Sequence, residues 1–221
     1  MDLVEVAAVL RKFSGADLTA TLARIEASVK GVSADTCSAV LASAGADGQA
    51  LGAAAALKRV AGQINVAIHA IGILLCLPHL LEAGEMVEYA SLGAGNTGRE
   101  FDLETNRRIA EFKFIHWRGG PESIRQNQLF KDFYLLSESP SPKRKYLYVL
   151  GTKHPLKFFN GGRALSSVLS RNHKLLKQFE GAHGEKFETV RDYFLAHKNL
   201  VEIEDVSGWV PELISDSDEE E

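Results

Sequence analysis

This chain predicts an α/β domain with helical additions at both ends, on three observations. An apolar stretch from about Leu51 to Leu81 has the length of a helix, not of a strand. Three β-rich runs follow it, then a helical pattern, then a fourth β-rich run. Both ends of the chain carry helical periodicity instead. Length agrees: 221 residues with 45% hydrophobic content can bury one good core. The expected divisions are an N-terminal helical segment (1–48), an α/β core (49–160), a C-terminal helical segment (161–210) and an acidic tail (211–221).

In chain order, Met1 to about Gly48 is alanine-rich. Leu3, Val6, Leu10 and Phe13 form one stripe, and Leu18, Leu22, Ile25 and Val29 a second. Gly15, Gly31 and Gly45-Ala46-Asp47-Gly48 punctuate the helices. Packing on the core is the default for both stripes. Ile64 to Leu81 raises the question of a membrane span. It carries Asn65, His69, Pro78 and His79 and is barely long enough, so it reads as the buried central helix of the core, with no membrane partner. Glu85 to Leu92 reads as a strand, and the Gly- and Asn-dense Gly93 to Gly98 as its turn. A hairpin follows, from Arg99 to Ile115. Glu122 to Leu136 reads as a helix opened by Pro121, with Ile124, Leu129, Phe133 and Leu136 on one stripe. Ser137 to Pro142 is a loop, and Lys145 to Leu150 a strand closed by Gly151. Ala164 to His197 reads as two helices separated near Gly181 to Gly184.

The hairpin carries the chemistry. With its turn centred between Thr105 and Asn106, Asp102 pairs with Ile109, and period-2 alternation adds Glu111 and Lys113 to the same face. Asp102 and Glu111 are then diagonal neighbours, roughly 7 Å apart at the backbone. Two carboxylates so placed suit one hard divalent cation. Lys113, one step along, is placed to orient or help deprotonate a water beside the cation. The plain alternative is an exposed Glu111–Lys113 strand pair on a solvated sheet face. Ile109 and Ile115 share that face and make it partly buried, where paired carboxylates need a partner.

This pattern resembles the PD-(D/E)XK nuclease superfamily, over roughly Leu51 to Gly151. Asp102 stands for the first acid of the motif, Glu111 for the second and Lys113 for the lysine. Phe101 departs from the proline that often precedes the first acid. The element order, helix–strand–strand–strand–helix–strand, matches the restriction-endonuclease-like core. The resemblance implies a deoxyribonuclease dependent on magnesium or manganese, with Asp102, Glu111 and the Phe112 carbonyl as metal ligands and Lys113 as the residue that positions water. It implies a glutamine near the site on the following helix, for which Gln126 is the better candidate and Gln128 the other. It also implies a glutamate close to the metal on the first core helix, with Glu82 and Gln63 as candidates. Double-strand cleavage by this fold commonly uses two active sites, which would make the assembly a homodimer. A non-catalytic module binding nucleic acid or protein on the same fold is the alternative.

Charge and composition fit that reading. The net charge is −4, yet Arg99 to Lys177 holds sixteen Lys/Arg against seven Asp/Glu. A basic middle around a carboxylate pair suits DNA or another phosphodiester. Arg171, Lys174 and Lys177 fall at helical spacing and either face that backbone or form the wet side of a helix. Two cysteines, Cys37 and Cys76, in apolar helical context are no disulfide framework, and a reducing compartment is expected: cytoplasm, or nucleus in a eukaryote. The histidines and cysteines show no zinc spacing, and no Gly-x-Ser-x-Gly elbow occurs. His116 points off the carboxylate face by alternation and reads as packing.

Overall fold

The computed structural model describes residues 3–14, 18–30, 33–93, 100–117 and 122–215. The expected turn at 94–98 and the acidic run 216–221 lie outside them. The chain divides into two compact units, Met1–Asn65 and Val66–Glu221.

The first unit holds α1 (Leu3–Ser14), α2 (Leu18–Val29), α3 (Ala34–Ala44) and the start of α4 (Gly48–Leu80), which runs on into the second. Its boundaries follow local chemistry. Gly45 closes α3 at φ 65°, a left-handed cap that glycine adopts without a Cβ penalty. Asp47 opens α4, its Oδ1 accepting the Ala50 N–H at 2.7 Å. Val6, Ala50 and Ala53 are buried, whereas Leu22 and Val29 of the second stripe remain exposed.

The second unit is α/β. After α4 come β1 (Val87–Ala90), β2 (Leu103–Thr105), β3 (Arg108–Lys113), α5 (Ser123–Glu138) and β4 (Arg144–Val149). Then follow α6 (Lys153–Phe159), α7 (Leu165–Leu169), α8 (His173–His183), α9 (Val190–His197), β5 (Glu202–Asp205) and α10 (Glu212–Ser215). The five strands form one mixed sheet in the order β1-β2-β3-β4-β5. The first two pairings are antiparallel, as hairpins require, and the last two parallel. The crossover between β3 and β4 is α5; that between β4 and β5 is α6 to α9.

Each sheet face has its own core. On one side Ile109, Leu147 and Val149 pack against Leu129, Phe130 and Phe133 of α5 and against aromatic and aliphatic residues of α6 to α9. On the other, Ala110, Phe112, Tyr146 and Tyr148 pack against Ile73, Cys76 and Leu80 of α4. Strand alternation produces this split, since successive residues of β3 and β4 point to opposite faces.

Three expectations are corrected. The hairpin register is shifted: Leu103 pairs with Ala110 and Glu104 with Ile109, so Asp102 is not opposite Ile109. Thr105 is the physical cause. Its Oγ1 accepts the N–H groups of Arg107 at 3.0 Å and Arg108 at 2.9 Å, which moves the turn one residue along. The shift is even, so Glu104 keeps the face parity of Ile109, Glu111 and Lys113, while Asp102 lies just outside the paired ladder. The C-terminal stretch holds three helices from Leu165 to His197 in place of two, α6 precedes them, and β5 joins the sheet. Leu165, Val168, Phe179, Tyr193 and Val201 lie within the α5-side core, so this end is part of the core and not an addition to it. Finally, α4 is long and apolar enough to cross a membrane, but it is not the buried helix expected: only 17% of its most apolar window is buried. In the second unit it buries one stripe, Ile73, Cys76 and Leu80, and exposes Ile71, Leu74 and Leu75.

Candidate active site

β2 begins only at Leu103, so Asp102 sits where the hairpin ladder opens. Its backbone carbonyl accepts the Ser91 N–H at 2.7 Å. Its side chain takes the place a strand carbonyl would have held: Oδ2 accepts the Phe112 N–H at 3.0 Å. The other oxygen, Oδ1, lies 3.2 Å from His69 Nε2, presented by α4. Burial raises the Asp102 pKa, but the His69 and Phe112 hydrogen bonds and the nearby Lys113 charge outweigh it and hold the carboxyl below its ordinary value. Asp102 is therefore an anchored anion. The Phe112 side chain belongs to the opposite core. Its carbonyl faces the same edge as its N–H, by the geometry of a strand.

Glu111 and Lys113 project from the other face of β3, toward α5. Lys113 Nζ lies 2.8 Å from Asp132 Oδ2 of α5 and 3.3 Å from Glu111 Oε2. Burial works against the Lys113 charge, but Asp132, Glu111 and Asp102 more than compensate and keep the ammonium well above its ordinary pKa. Lys113 is thus a fixed cation, able to donate hydrogen bonds and offset negative charge but not to accept a proton. Glu111 is the reverse case. Burial first, then the charges of Asp132 and Asp102, push it up to about 8 despite Lys113. Three carboxylates share one ammonium, and the excess negative charge is relieved by the proton that Glu111 keeps.

That donor set has the chemistry a hard divalent cation takes: carboxylate oxygens in excess of the local positive charge, with a backbone carbonyl at the same edge. As the side chains stand, no group of three or more His, Cys, Asp or Glu among the described residues is gathered to hold a metal ion. Lys113 draws Glu111 toward Asp132, while Asp102 turns to His69 and Phe112.

The remaining candidates lie elsewhere. Gln126 accepts from Arg163 Nη1 and lines a separate cavity; its hydrogen bond does not go to the carboxylate cluster. Glu82 follows α4 and pairs with Arg107, Arg108 and Arg144 at the turn end of the hairpin. Gln63 belongs to the first unit. His116 is partly buried, with its Nδ1 unpaired among the described residues. Part of the basic middle is internally balanced: Arg107, Arg108, Lys113, Arg125, Lys143 and Arg144 each pair with a carboxylate.

Two site residues escaped sequence reasoning, His69 and Asp132. Asp132 carried a signal: it is a lone acid within the apolar stripe of α5, three residues after Leu129 and four before Leu136. His69 is a polar residue in the uncharged part of α4, a weaker signal.

No family model, curated protein or solved structure matches this chain.

Proposed function

We propose that this protein is a divalent-metal-dependent nuclease that hydrolyses DNA phosphodiester bonds, built on a restriction-endonuclease-like core. The observation that carries the reading is the Glu111–Lys113–Asp132 cluster on β3 and α5, with the Asp102 carboxylate anchored on the Phe112 N–H near it, where the β2–β3 ladder opens. The helix–strand–strand–strand–helix–strand order around it supports the fold assignment.

In this reading Asp102, Glu111 and the Phe112 carbonyl hold magnesium or manganese. When bound, the cation lowers the pKa of a water and polarises a phosphoryl oxygen. The protein's own residues do the rest. The Phe112 N–H and His69 fix the Asp102 carboxylate, so it needs no reorganisation at the moment of reaction. Lys113 supplies a permanent positive charge toward the phosphoryl oxygens as negative charge gathers there. Asp132 holds the Lys113 ammonium and so positions it.

One observation favours a second reading, a non-catalytic nucleic-acid- or protein-binding module. The Lys113–Asp132 pair is complete without a metal, as a purely structural ion pair would be. Incubation with supercoiled, linear and single-stranded DNA in magnesium or manganese separates the two. Cleavage that a chelator stops is the expected result. DNA retention without cleavage of any substrate would favour the binding module.

A further inference from the structure

A second site lies beyond the carboxyl ends of the parallel strands. A cavity of about 450 Å³ is lined by Trp117, Gln126, His154, Lys157, Phe158 and Arg163, with Gly161 and Gly162. Trp117 follows β3, while His154, Lys157 and Phe158 belong to α6, which follows β4. Ligands of open α/β sheets bind in this position, outside the carboxyl ends of the strands. The volume is that of a small-ligand site.

The lining has a definite chemistry. Lys157 and Arg163 bring two positively charged side chains and His154 an imidazole, and among the described residues no carboxylate lines the cavity. Trp117 and Phe158 add aromatic surface, with ring centroids 6.2 Å apart. Trp117 is 7% exposed, and its indole Nε1 is buried with no hydrogen-bond partner among the described residues. A buried donor left unpaired costs stability unless a ligand meets it. Cations beside an aromatic platform are the combination that receives a nucleotide, base on ring and phosphate on cation. A phosphodiester carries a single negative charge, whereas a phosphomonoester carries nearly two at neutral pH. Two cations match the second better.

We infer that this cavity holds the phosphomonoester-bearing terminal nucleotide of a nucleic-acid strand, with the phosphate on Lys157 and Arg163 and the base against Trp117. The strand assignment rests on the nuclease reading above, and the two fit chemically. Hydrolysis of a phosphodiester leaves one hydroxyl end and one phosphomonoester end, so the proposed reaction makes the group this cavity takes. Gln126 and Asp132 are six residues apart on α5, about 9 Å along its axis. That is under three nucleotide steps of about 3.4 Å each. A strand end seated in the cavity therefore has its first few linkages near the carboxylates, which makes the cleavage end-directed.

Binding is read without metal, so it does not depend on catalysis. In a Trp209→Phe background, Trp117 is the sole tryptophan. Its fluorescence is titrated, in chelator, with three thymidine dinucleotides: 5′-phosphorylated, 3′-phosphorylated, and hydroxyl at both ends. One phosphorylated form is expected to quench Trp117 and to bind at least about tenfold more tightly than the hydroxyl form, and which one does so identifies the end. Lys157→Gln, at an exposed position that leaves folding intact, is expected to remove that advantage; Arg163→Gln is the second variant. Equal affinity for all three dinucleotides, or an undiminished advantage in Lys157→Gln, overturns the inference. Metal-dependent cleavage without end discrimination would remove the cavity's role and leave the nuclease reading standing. Phosphate-dependent quenching in a protein that cleaves nothing would do the opposite.

Discussion

At the residue scale, Glu111 is the group most sensitive to solution conditions. Its folded pKa of about 8 lies above its ordinary 4.5, so the folded protein holds a proton that the unfolded chain releases. Its contribution to stability is complete below the unfolded value. It is lost as the pH rises from there through about 8, a loss on the order of a few kcal/mol. Urea unfolding of Glu111→Gln beside the native protein checks this. The variant is expected to gain relative stability between about pH 5 and pH 9, and parallel curves would refute the assignment. A carboxylate that binds metal must first lose its proton. Manganese titration by calorimetry below pH 8 is therefore expected to release protons, seen as a dependence of the apparent heat on the buffer's ionisation enthalpy. Lys113 demands a different control. Lys113→Ala removes the cation from two buried carboxylates and is expected to cost about 3–5 kcal/mol. Loss of activity in that variant alone does not separate chemistry from folding. Asp102→Asn is cleaner, because the amide oxygen still accepts the Phe112 N–H while the charge disappears.

At the scale of elements, the β2–β3 hairpin was legible as a hairpin but not in register. The sequence marks a turn near Thr105-Asn106, and turn centres one residue apart look alike in composition. The Thr105 hydroxyl decides between them by capping the Arg107 and Arg108 N–H groups. The same end is held by a buried network. Glu85 accepts Arg108 through both oxygens at 2.6 Å and the Thr105 hydroxyl at 2.6 Å, while Arg108 reaches Tyr148 at 2.9 Å. Burial opposes the Glu85 charge, yet these bonds bring its pKa down to about 2. Glu85→Ala would strand Arg108 in the core and is expected to cost about 3–5 kcal/mol in thermal or urea unfolding. A loss below about 1 kcal/mol would show the network to be incidental. On the other side, Gly72 lets α4 approach β3: a Cβ there would stand 2.8 Å from the Phe114 ring. That ring also packs on Phe112 and on His69. Gly72→Ala is expected to cost about 1–3 kcal/mol by overpacking.

At the scale of the molecule, the order from α4 to β4 could be read because each element has a strong period and clear punctuation. Lys145 to Leu150 is a β-rich run closed by Gly151, and the structure has β4 at Arg144–Val149. β5 could not be read the same way. Glu202-Ile203-Glu204-Asp205 is short and acidic, as edge strands often are, and its pairing with β4 depends on four intervening helices. Long-range assembly also explains the site. Asp102, Glu111 and Lys113 are close in sequence and could be grouped by local pattern. His69 and Asp132 arrive from α4 and α5, and no local period links them to the hairpin. Charge counting alone does not locate a surface, because part of the basic middle pairs with neighbouring carboxylates and another part lines the cavity beside α6. The central claim is metal-dependent phosphodiester hydrolysis at Asp102 and Glu111. The most direct measurement is the rate of DNA cleavage in magnesium or manganese by the native protein and by Asp102→Asn, with the melting temperature of each recorded. The account predicts chelator-sensitive cleavage by the native protein, and a fall of at least about a hundredfold in the variant at a nearly unchanged melting temperature. Cleavage by Asp102→Asn at the native rate, or none by the native protein with either metal, would contradict it.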